Sequence, residues 1–267
     1  MNVEILIATW SKDIEYLRYN LKSIAKFASG FSGTTLLVAQ QEEQLFKPIC
    51  EEFGCSLAMY DRVSDPKYWH LQHQTEKCMA DVHCPNADLV LFTDSDCVFT
   101  APVTPENYII YLLMSPKIPK PILLIEEFSR LQGNPWKPEV DRALGIDAKY
   151  ETMRRHPAVH WREMFKDFRN RVETVHHMPF FDYVMRQKPE FPWGFSEFAS
   201  MGAFCLWSDL WKTKYDFIDA KDEFLYRRAV EAGNLLQFWS HAPIDQPQAL
   251  PSGGRGCPIE TFRKLGL

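Results

Sequence analysis

The segment Leu89-Val-Leu-Phe-Thr-Asp-Ser-Asp96 holds the clearest structural signal in the chain, two carboxylates placed directly after four large apolar residues. An apolar run without alternation is typical of a parallel strand that is buried on both faces. In open α/β sheets, ligands bind at the carboxyl ends of the strands. The segment therefore predicts a buried strand over 88–92 that delivers Asp94 and Asp96 to a ligand-binding edge.

The residues ahead of this segment alternate between strand and helix signals. Ser11 is expected to cap the first helix, and Gly54 to end the second. Three strand–helix units before a fourth strand predict a doubly wound, mostly parallel α/β sheet. The predicted strands cover 3–9, 34–39 and 56–60, and the predicted helices cover 11–28, 42–53 and 68–83.

After Phe99 the pattern is less regular, and we expect it to complete one continuous domain over 1–267 rather than a second domain. Proline and glycine are frequent from 243 onward, which predicts loop there. The other expected elements are a strand at 121–125, one or two charged amphipathic helices over 150–172, a short helix at 180–187, a strand at 202–207, a helix at 223–232 and a strand-like run at 235–239.

The bulk properties exclude several classes of protein. With 267 residues and a net charge of -5, the chain has no overall attraction for nucleic acid or an anionic membrane. No apolar run reaches the roughly 18 residues of a membrane span, and the first residues lack the basic region of a signal peptide. Its 7 cysteines form no CxxC pair. We therefore expect reduced thiols in a cytoplasmic protein, and the sequence carries no signal for oligomeric state.

The triplet Asp94-Ser95-Asp96 predicts a cation site. Two neighbouring carboxylates repel each other unless a cation lies between them. Carboxylate oxygens suit Mn²⁺ or Mg²⁺, and the phosphate oxygens of a nucleotide would complete the coordination shell. Ser95 is expected to contact the same ligand. The alternative is a turn that uses Asp and Ser only for bonds to its own backbone.

The strand layout and the triplet resemble the GT-A type of glycosyltransferase. The stretch Phe92-Thr-Asp-Ser-Asp-Cys-Val-Phe99, with Trp193-Gly-Phe-Ser-Glu197 further along, also resembles a glycosyltransferase-like family of bacteria and phages. The similarity runs from Val3 to about Gln246. It implies an α/β, GT-A-like (Rossmann-like) fold that transfers a sugar from a nucleotide diphosphate-sugar to a hydroxyl acceptor, with Mn²⁺ or Mg²⁺ at the triplet. It further implies a nucleotide-sugar-binding half over 1–100, an acceptor half over 101–250 and a C-terminal tail over 251–267.

The resemblance also implies roles for residues outside the triplet. Thr9 and Asp13 follow the first strand, where such enzymes bind the base and ribose, and Asp61 follows the third strand, where an acid often reads the base. His241 is placed where a late histidine completes the metal shell. The alternatives are that Asp13 only caps a helix and that His241 is structural.

Three further residues are candidates for contact with the substrates. Lys77 would place a point charge near the diphosphate, although a solvated surface lysine is the simpler interpretation. Glu197 lies among aromatic residues, where a raised pKa would suit a general base for the acceptor hydroxyl. Its alternative is a capping or salt-bridged glutamate. Asp182 is a second candidate for contact with the acceptor or the donor sugar.

Six basic residues within 153–171 interleave with acidic ones, which predicts a salt-bridged surface helix. The functional alternative is a platform for a phosphate-bearing acceptor. The acceptor is therefore expected to be a glycan or, as the phage resemblance implies, a hydroxymethylated pyrimidine in DNA that is flipped out of the stack. The location would be the cytoplasm of a bacterium or a phage-infected host. The pairs His70/His73 and His156/His160 have zinc-compatible spacings but lack the glutamate and third ligand of a metalloprotease, and we dismiss them.

Three rival functions remain open at this point. In a HAD-type phosphatase Asp94 would be the nucleophile and Asp96 the acid/base, but that motif usually opens its fold. A sugar-nucleotide-forming nucleotidyltransferase would carry a glycine-rich loop after its first strand, and Ala8-Thr-Trp-Ser-Lys12 has no glycine. The third rival is a non-catalytic sugar-nucleotide-binding protein.

Overall fold

The computed structural model describes residues 1–110, 119–133, 136–153, 157–189, 194–238, 240, 242–249 and 255–267. None of the helices in these ranges is long and apolar enough to cross a membrane.

The first hundred residues form the predicted three strand–helix units followed by a fourth strand. These elements are β1 (Val3–Ala8), α1 (Ile14–Phe27), β2 (Gly33–Ala39), α2 (Glu43–Phe53), β3 (Ser56–Tyr60), α3 (Trp69–Lys77), α4 (Ala80–His83) and β4 (Leu89–Phe92). The expected cap at Ser11 is wrong: a short 3-10 turn, Ser11–Asp13, precedes α1, and the Ser11 hydroxyl donates instead to Glu42 Oε1 at 2.7 Å. The single helix expected over 68–83 is divided into α3 and α4.

The central sheet has five strands in the order β3-β2-β1-β4-β9, where β9 is Ala158–Trp161. The first four strands run parallel, and β9 pairs antiparallel with β4. This order confirms the doubly wound, mostly parallel α/β sheet. It also places the reversal of strand order between β1 and β4, which is where open α/β sheets bind their ligands.

Both faces of the sheet are buried, as the apolar runs of β1, β2 and β4 predict. Ile5, Ile7 and Leu91 contribute to a core with α1 and α2 on one face. Leu6 and Phe92 contribute to a second core on the other face, with the helices of the second half. Successive residues of a strand point to opposite faces, so each strand supplies both cores.

The second half adds helices to one face of the sheet and three small sheets beside it. β10, β7 and β6 form one small sheet, to which β8 is attached through β7, while β11 pairs with β5 and β12 with β13. The remaining elements are β5 (Cys97–Phe99), β6 (Ile109–Ile110), β7 (Lys120–Glu127), α5 (Lys137–Leu144), β8 (Tyr150–Glu151), α6 (Arg162–His176), α7 (Phe180–Met185), α8 (Glu197–Trp207), α9 (Asp209–Lys212), β10 (Asp216–Asp219), α10 (Glu223–Gly233), β11 (Leu235–Gln237), β12 (Gln248–Ala249), β13 (Arg255–Gly256) and α11 (Pro258–Leu265).

The strand expected at 202–207 is wrong, because these residues are the second part of α8. The helix is buried on nearly all sides, so its apolar residues show no helical periodicity and read like a buried strand. Gly202 lets the helix approach β8 closely. A Cβ atom at Gly202 would overlap with Oγ1 of Thr152, the residue that follows β8.

Two other expectations also need correction. We expect one charged helix over 150–172, or two divided near Pro157. The described part of this segment holds one helix, α6, which begins only at Arg162, because the apolar residues just after Pro157 pair with β4 as the edge strand β9. The tail is not loop throughout, because α11 packs the buried ring of Phe262 against Tyr19 at a centroid distance of 4.3 Å. Pro258 and Gly266 bound this helix, but the proline- and glycine-rich residues before it masked that signal.

Candidate active site

The acidic triplet lies at the carboxyl end of β4, as the sequence predicts. The backbone N–H of Thr93 donates to the carbonyl of Leu6 at 3.3 Å, which extends the pairing with β1. A turn follows in which the N–H of Cys97 donates to the carbonyl of Asp94 at 3.0 Å. The turn fixes the backbone of the triplet at the edge of the sheet, next to the end of β1.

The side chain of Asn20 in α1 stabilises this turn. Its side-chain Nδ2 donates to the carbonyls of Asp94 at 3.0 Å and Cys97 at 2.8 Å. Asn20 is fully buried, and sequence reasoning missed it. The available signal was an amide between Leu17 and Leu21 on the apolar face of an amphipathic helix, where a polar side chain needs a specific partner.

Thr9 and Ser95 connect the ends of the two neighbouring strands. The Ser95 hydroxyl donates to Oγ1 of Thr9 at 2.7 Å, and both residues are buried. This bond closes the floor of the crevice between β1 and β4.

Lys77 forms a buried bridge between two carboxylates from opposite halves of the chain. Its Nζ lies 2.9 Å from Oδ1 of Asp94 and 3.1 Å from Oε1 of Glu197. The exposed fractions of the side chains are 7% for Lys77, 7% for Glu197 and 37% for Asp94. The alternative of a solvated surface lysine is therefore wrong, and Glu197, the first residue of α8, is salt-bridged.

The bridge shifts the pKa values of Lys77 and Asp94. Burial alone would lower the pKa of Lys77, but Asp94 and Glu197 outweigh burial and raise it. Burial likewise opposes the ionised form of Asp94, and the Lys77 ammonium outweighs it, so the pKa of Asp94 lies below its usual value. Lys77 and Asp94 are therefore both charged near neutral pH.

Asp96 and Asp13 lie in the same cleft, where their negative charge is offset less than that of Asp94. Oδ2 of Asp96 accepts a hydrogen bond from the backbone N–H of Ser240 at 3.2 Å. Burial, followed by the nearby charge of Asp94, nevertheless raises the pKa of Asp96 to about 7. Burial also raises the pKa of Asp13, although hydrogen bonds from Ser240 and Trp10 oppose the shift. Burial in the cleft therefore disfavours the ionised forms of Asp13 and Asp96, and the nearby charge of Asp94 adds to this effect.

The cleft has a volume of about 240 Å³. It brings together most of the residues that the sequence singles out: Asp13, Lys77, Asp94, Ser95, Asp96 and Glu197. Thr9 joins them through Ser95.

Two of the remaining candidates, Asp61 and Asp182, lie outside the cleft. Asp61 is exposed at the end of β3, where its carbonyl accepts a hydrogen bond from Gln72 Nε2 at 2.5 Å, and Asp182 is exposed on α7. Neither lines the cleft, so their proposed substrate contacts stay predictions. His241 and Trp193 lie outside the described residues.

The cleft also contains residues that sequence reasoning missed. His70, His73 and Gln74 line it together with Trp10, whose ring stacks on His73 at a centroid distance of 6.1 Å. Burial, with a contribution from Lys77, lowers the pKa of His73 to about 3, so its imidazole is neutral. Spacings of three and four residues between polar side chains are the available signal, which the zinc-type spacing of the histidines alone does not reveal.

The donor set fits a hard divalent cation. Among the described residues, four carboxylates line the cleft, from Asp13, Asp94, Asp96 and Glu197, together with one ammonium, that of Lys77. Within the described ranges, no group of three His, Cys, Asp or Glu residues is placed to hold a metal ion. A cation at Asp94 and Asp96 would therefore take further ligands from phosphate oxygens or water, as Mg²⁺ usually does.

The described arginines of α6 bond to the protein itself. Arg169 forms a bidentate ion pair with Asp81 at 2.6 and 2.9 Å. Arg162 donates to the carbonyl of Ala87, and Arg171 donates to that of Leu144. Arg169 is salt-bridged, but its partner Asp81 lies on α4 and is not one of the interleaved acids of the expected helix. Arg154 and Arg155 lie outside the described residues.

Comparison with solved structures gives remote similarities. A 4-diphosphocytidyl-2C-methyl-D-erythritol synthase from Anaerococcus prevotii has a TM-score of 0.43 and 10% identity, over 100% of this chain and 96% of its own. A glycosyltransferase involved in the glycosylation of the major capsid of PBCV-1 has a TM-score of 0.37 and 11% identity, over 100% of both chains. No protein-family model matches the chain, and no curated protein is significantly similar to it. At these values the likenesses carry no inference about activity.

Proposed function

We propose that this chain is a glycosyltransferase that uses a divalent cation to transfer a sugar from a nucleotide diphosphate-sugar to a hydroxyl acceptor. The observation that carries the proposal is the composition of the cleft at the switch point between β1 and β4. Four carboxylates face one ammonium there, and burial beside Asp94 raises the pKa of Asp96 to about 7. A site with uncompensated negative charge and oxygen ligands favours a hard cation together with the phosphates that the cation binds.

Asp94 and Asp96 are the residues that would hold the cation. When bound, Mn²⁺ or Mg²⁺ supplies Lewis-acid neutralisation of the charge that develops on the leaving diphosphate. Ser95 and Asn20 support this role indirectly, because their hydrogen bonds fix the backbone of the triplet. The carboxylates are therefore oriented before the ligand arrives.

Glu197 is the better candidate for the general base, because it lines the cleft whereas Asp182 does not. In an inverting transfer, Glu197 takes the proton of the acceptor hydroxyl. The acceptor oxygen then bonds to C1 of the sugar as the bond from C1 to the diphosphate oxygen breaks. In a retaining transfer, Glu197 would flank the donor sugar instead. Lys77 keeps this carboxylate in place at 3.1 Å and adds a positive charge near the diphosphate.

A glycan hydroxyl is the acceptor that we favour over a hydroxymethylated pyrimidine in DNA. The net charge of -5 opposes binding to a polyanion. The arginines of α6 for which contacts are given donate to protein carbonyls and to Asp81, which leaves fewer donors for DNA phosphates.

The test is a panel of UDP-, GDP-, CMP- and dTDP-sugars, incubated with Mn²⁺ or with EDTA, in the wild type, Asp96→Ala and the control Asp88→Ala at the other end of β4. We expect release of nucleotide from one donor, lost with EDTA and in Asp96→Ala but kept in Asp88→Ala. Turnover of no donor, together with hydrolysis of a simple phosphate monoester that requires Asp94, would overturn the proposal in favour of a phosphatase. Tight binding of a donor without turnover in the presence of sugar acceptors would instead favour a binding protein.

A further inference from the structure

The face of α3 that lines the cleft is polar along its whole length. His70, His73, Gln74 and Lys77 follow one another at spacings of three, one and three residues, which places them on one side of a helix, and all four line the cleft. In most helices of globular proteins a stripe with this spacing is apolar and packs on the core. Here the stripe borders a space of about 240 Å³, which indicates that it serves a polar ligand.

Two acceptor atoms on this face lack a donor. Nδ1 of His73 and Oε1 of Gln74 are buried and have no hydrogen-bond partner among the described residues. The backbone of Ala8 lies beside the His73 ring, which leaves Nε2 as the nitrogen that can donate to it. A neutral imidazole that donates from Nε2 keeps a lone pair on Nδ1. The last torsion of each side chain is soft, so each acceptor can adjust to a donor that enters the cleft.

The position of these acceptors relative to the triplet indicates which part of the ligand they meet. Lys77, at the carboxyl end of α3, contacts Asp94 and Glu197. Because an α-helix rises 1.5 Å per residue, Gln74 and His73 lie roughly 4.5 and 6 Å further along the axis, away from this bridge. A diphosphate at the triplet with its sugar near Glu197 would extend its ribose toward Gln74 and His73. Trp10 then offers an aromatic surface beyond them.

We propose that His73 and Gln74 accept hydrogen bonds from the 2′- and 3′-hydroxyls of the donor's ribose, so that the protein selects ribonucleotide over 2′-deoxyribonucleotide donors. A vicinal diol presents two O–H donors, which match two acceptors that now have none. This inference rests on the proposed function, because it takes the diphosphate to lie at Asp94 and Asp96.

The test is calorimetric binding of UDP, CDP, GDP and ADP and of their 2′-deoxy counterparts, each with Mn²⁺. The preferred ribonucleotide should bind roughly five- to tenfold more tightly than its deoxy counterpart, as expected for one buried hydrogen bond. His73→Phe keeps a ring against Trp10 and removes the acceptor, and Gln74→Met keeps the length of the side chain. Each variant should weaken the ribonucleotide by a similar factor, and at least one should bring the ribo-to-deoxy ratio close to 1. Gln44→Met, on the exposed face of α2, is the matched control and should keep the wild-type ratio.

The outcomes separate this inference from the proposed function. Equal affinity of the wild type for ribo- and deoxyribonucleotides would overturn the inference and leave nucleotide binding standing. The inference would also be overturned if each variant weakened the binding of ribonucleotides and of deoxyribonucleotides by the same factor. Weaker binding of nucleotide-sugars without weaker binding of the free diphosphates would assign the stripe to the transferred sugar, which also overturns it. Failure of every nucleoside diphosphate to bind the wild type would instead remove the proposed function.

Discussion

The two ends of β4 carry depressions of nearly equal size and very different charge. At the amino end, Asp88, Trp161, Arg162, Glu163 and Lys214 line a depression of about 250 Å³, in which two acids balance two bases. At the carboxyl end, a cleft of about 240 Å³ holds four carboxylates and one lysine. Volume therefore does not separate a ligand site from a surface irregularity here. The two ends differ instead in uncompensated charge and in the raised pKa values of Asp13 and Asp96 at the carboxyl end of β4.

The largest effect should follow from removal of the Lys77 ammonium from the cleft at the carboxyl end of β4. Lys77→Met leaves Asp94 and Glu197 in the cleft without their partner, and loss of one member of a buried ion pair costs about 3–5 kcal/mol. Urea denaturation at pH 7 measures the change in the free energy of unfolding. Lys166→Met, an exposed lysine on α6, is the control and should change it by less than about 0.5 kcal/mol. The double variant Lys77→Met/Glu197→Gln should recover part of the loss. Equal losses for Lys77→Met and Lys166→Met would contradict the bridge.

Asp96 should make stability depend on pH in the absence of divalent cations. Its pKa is about 7 in the folded protein, against 3.8 for an unperturbed aspartate, so the folded state binds an extra proton between these pH values. Stability is therefore lost as the pH rises from about 4 to about 7, by an amount on the order of 3 kcal/mol.

The measurement is the difference in unfolding free energy between the wild type and Asp96→Asn across this range. A difference is needed because burial lowers the pKa values of His73 and His160 to about 3. Their neutral rings add stability with rising pH, which opposes the slope from Asp96. A difference that does not vary between pH 4 and pH 8 would refute the raised pKa of Asp96.

A divalent cation should stabilise the protein by binding in the cleft at the carboxyl end of β4. Mn²⁺ at ten times its Kd should raise the unfolding free energy by about 1.4 kcal/mol at pH 8. Below pH 7 the apparent affinity should fall by up to about tenfold per pH unit, because Asp96 must release a proton before it binds metal. Thermal unfolding with and without Mn²⁺ measures both effects. Asp96→Asn should abolish the shift, and a shift that survives in this variant would place the cation elsewhere.

The smallest effect is expected at the amino end of β4. Oδ2 of Asp88 accepts a hydrogen bond from the backbone N–H of Asn2 at 2.7 Å at an exposed position. Asp88→Asn should therefore cost about 0.5–1 kcal/mol and leave the Mn²⁺ shift intact. A loss of the Mn²⁺ shift in this variant would show that the two ends of the strand are coupled, and the contrast between them would fail.

The sheet and the triplet were predictable because both depend on local patterns. The buried strands β1, β2 and β4 read as short apolar runs, and Asp94 and Asp96 follow directly in sequence. The helix α8 was missed because burial on nearly all sides removes the alternation of polar and apolar residues that marks a helix.

The surroundings of the triplet depend on contacts that the sequence does not display. Lys77 and Glu197 are separated by 120 residues, so no local pattern predicts that they meet. Burial of Lys77 makes the surface interpretation wrong. A lysine is almost never buried unless it is paired, and here the partners are carboxylates. Asn20 and the polar face of α3 could have been found, because a polar residue at a buried helical position requires a partner.

The bond between Asp96 and Ser240 has a consequence for the order of events during synthesis. These residues lie 144 positions apart along the chain, and contacts of such separation form late because a long loop must first close. The sheet through β4 can assemble on the ribosome well before residue 240 emerges. We therefore expect a nascent chain to acquire its β1–β4 core first and its full cleft only after residue 240 has emerged.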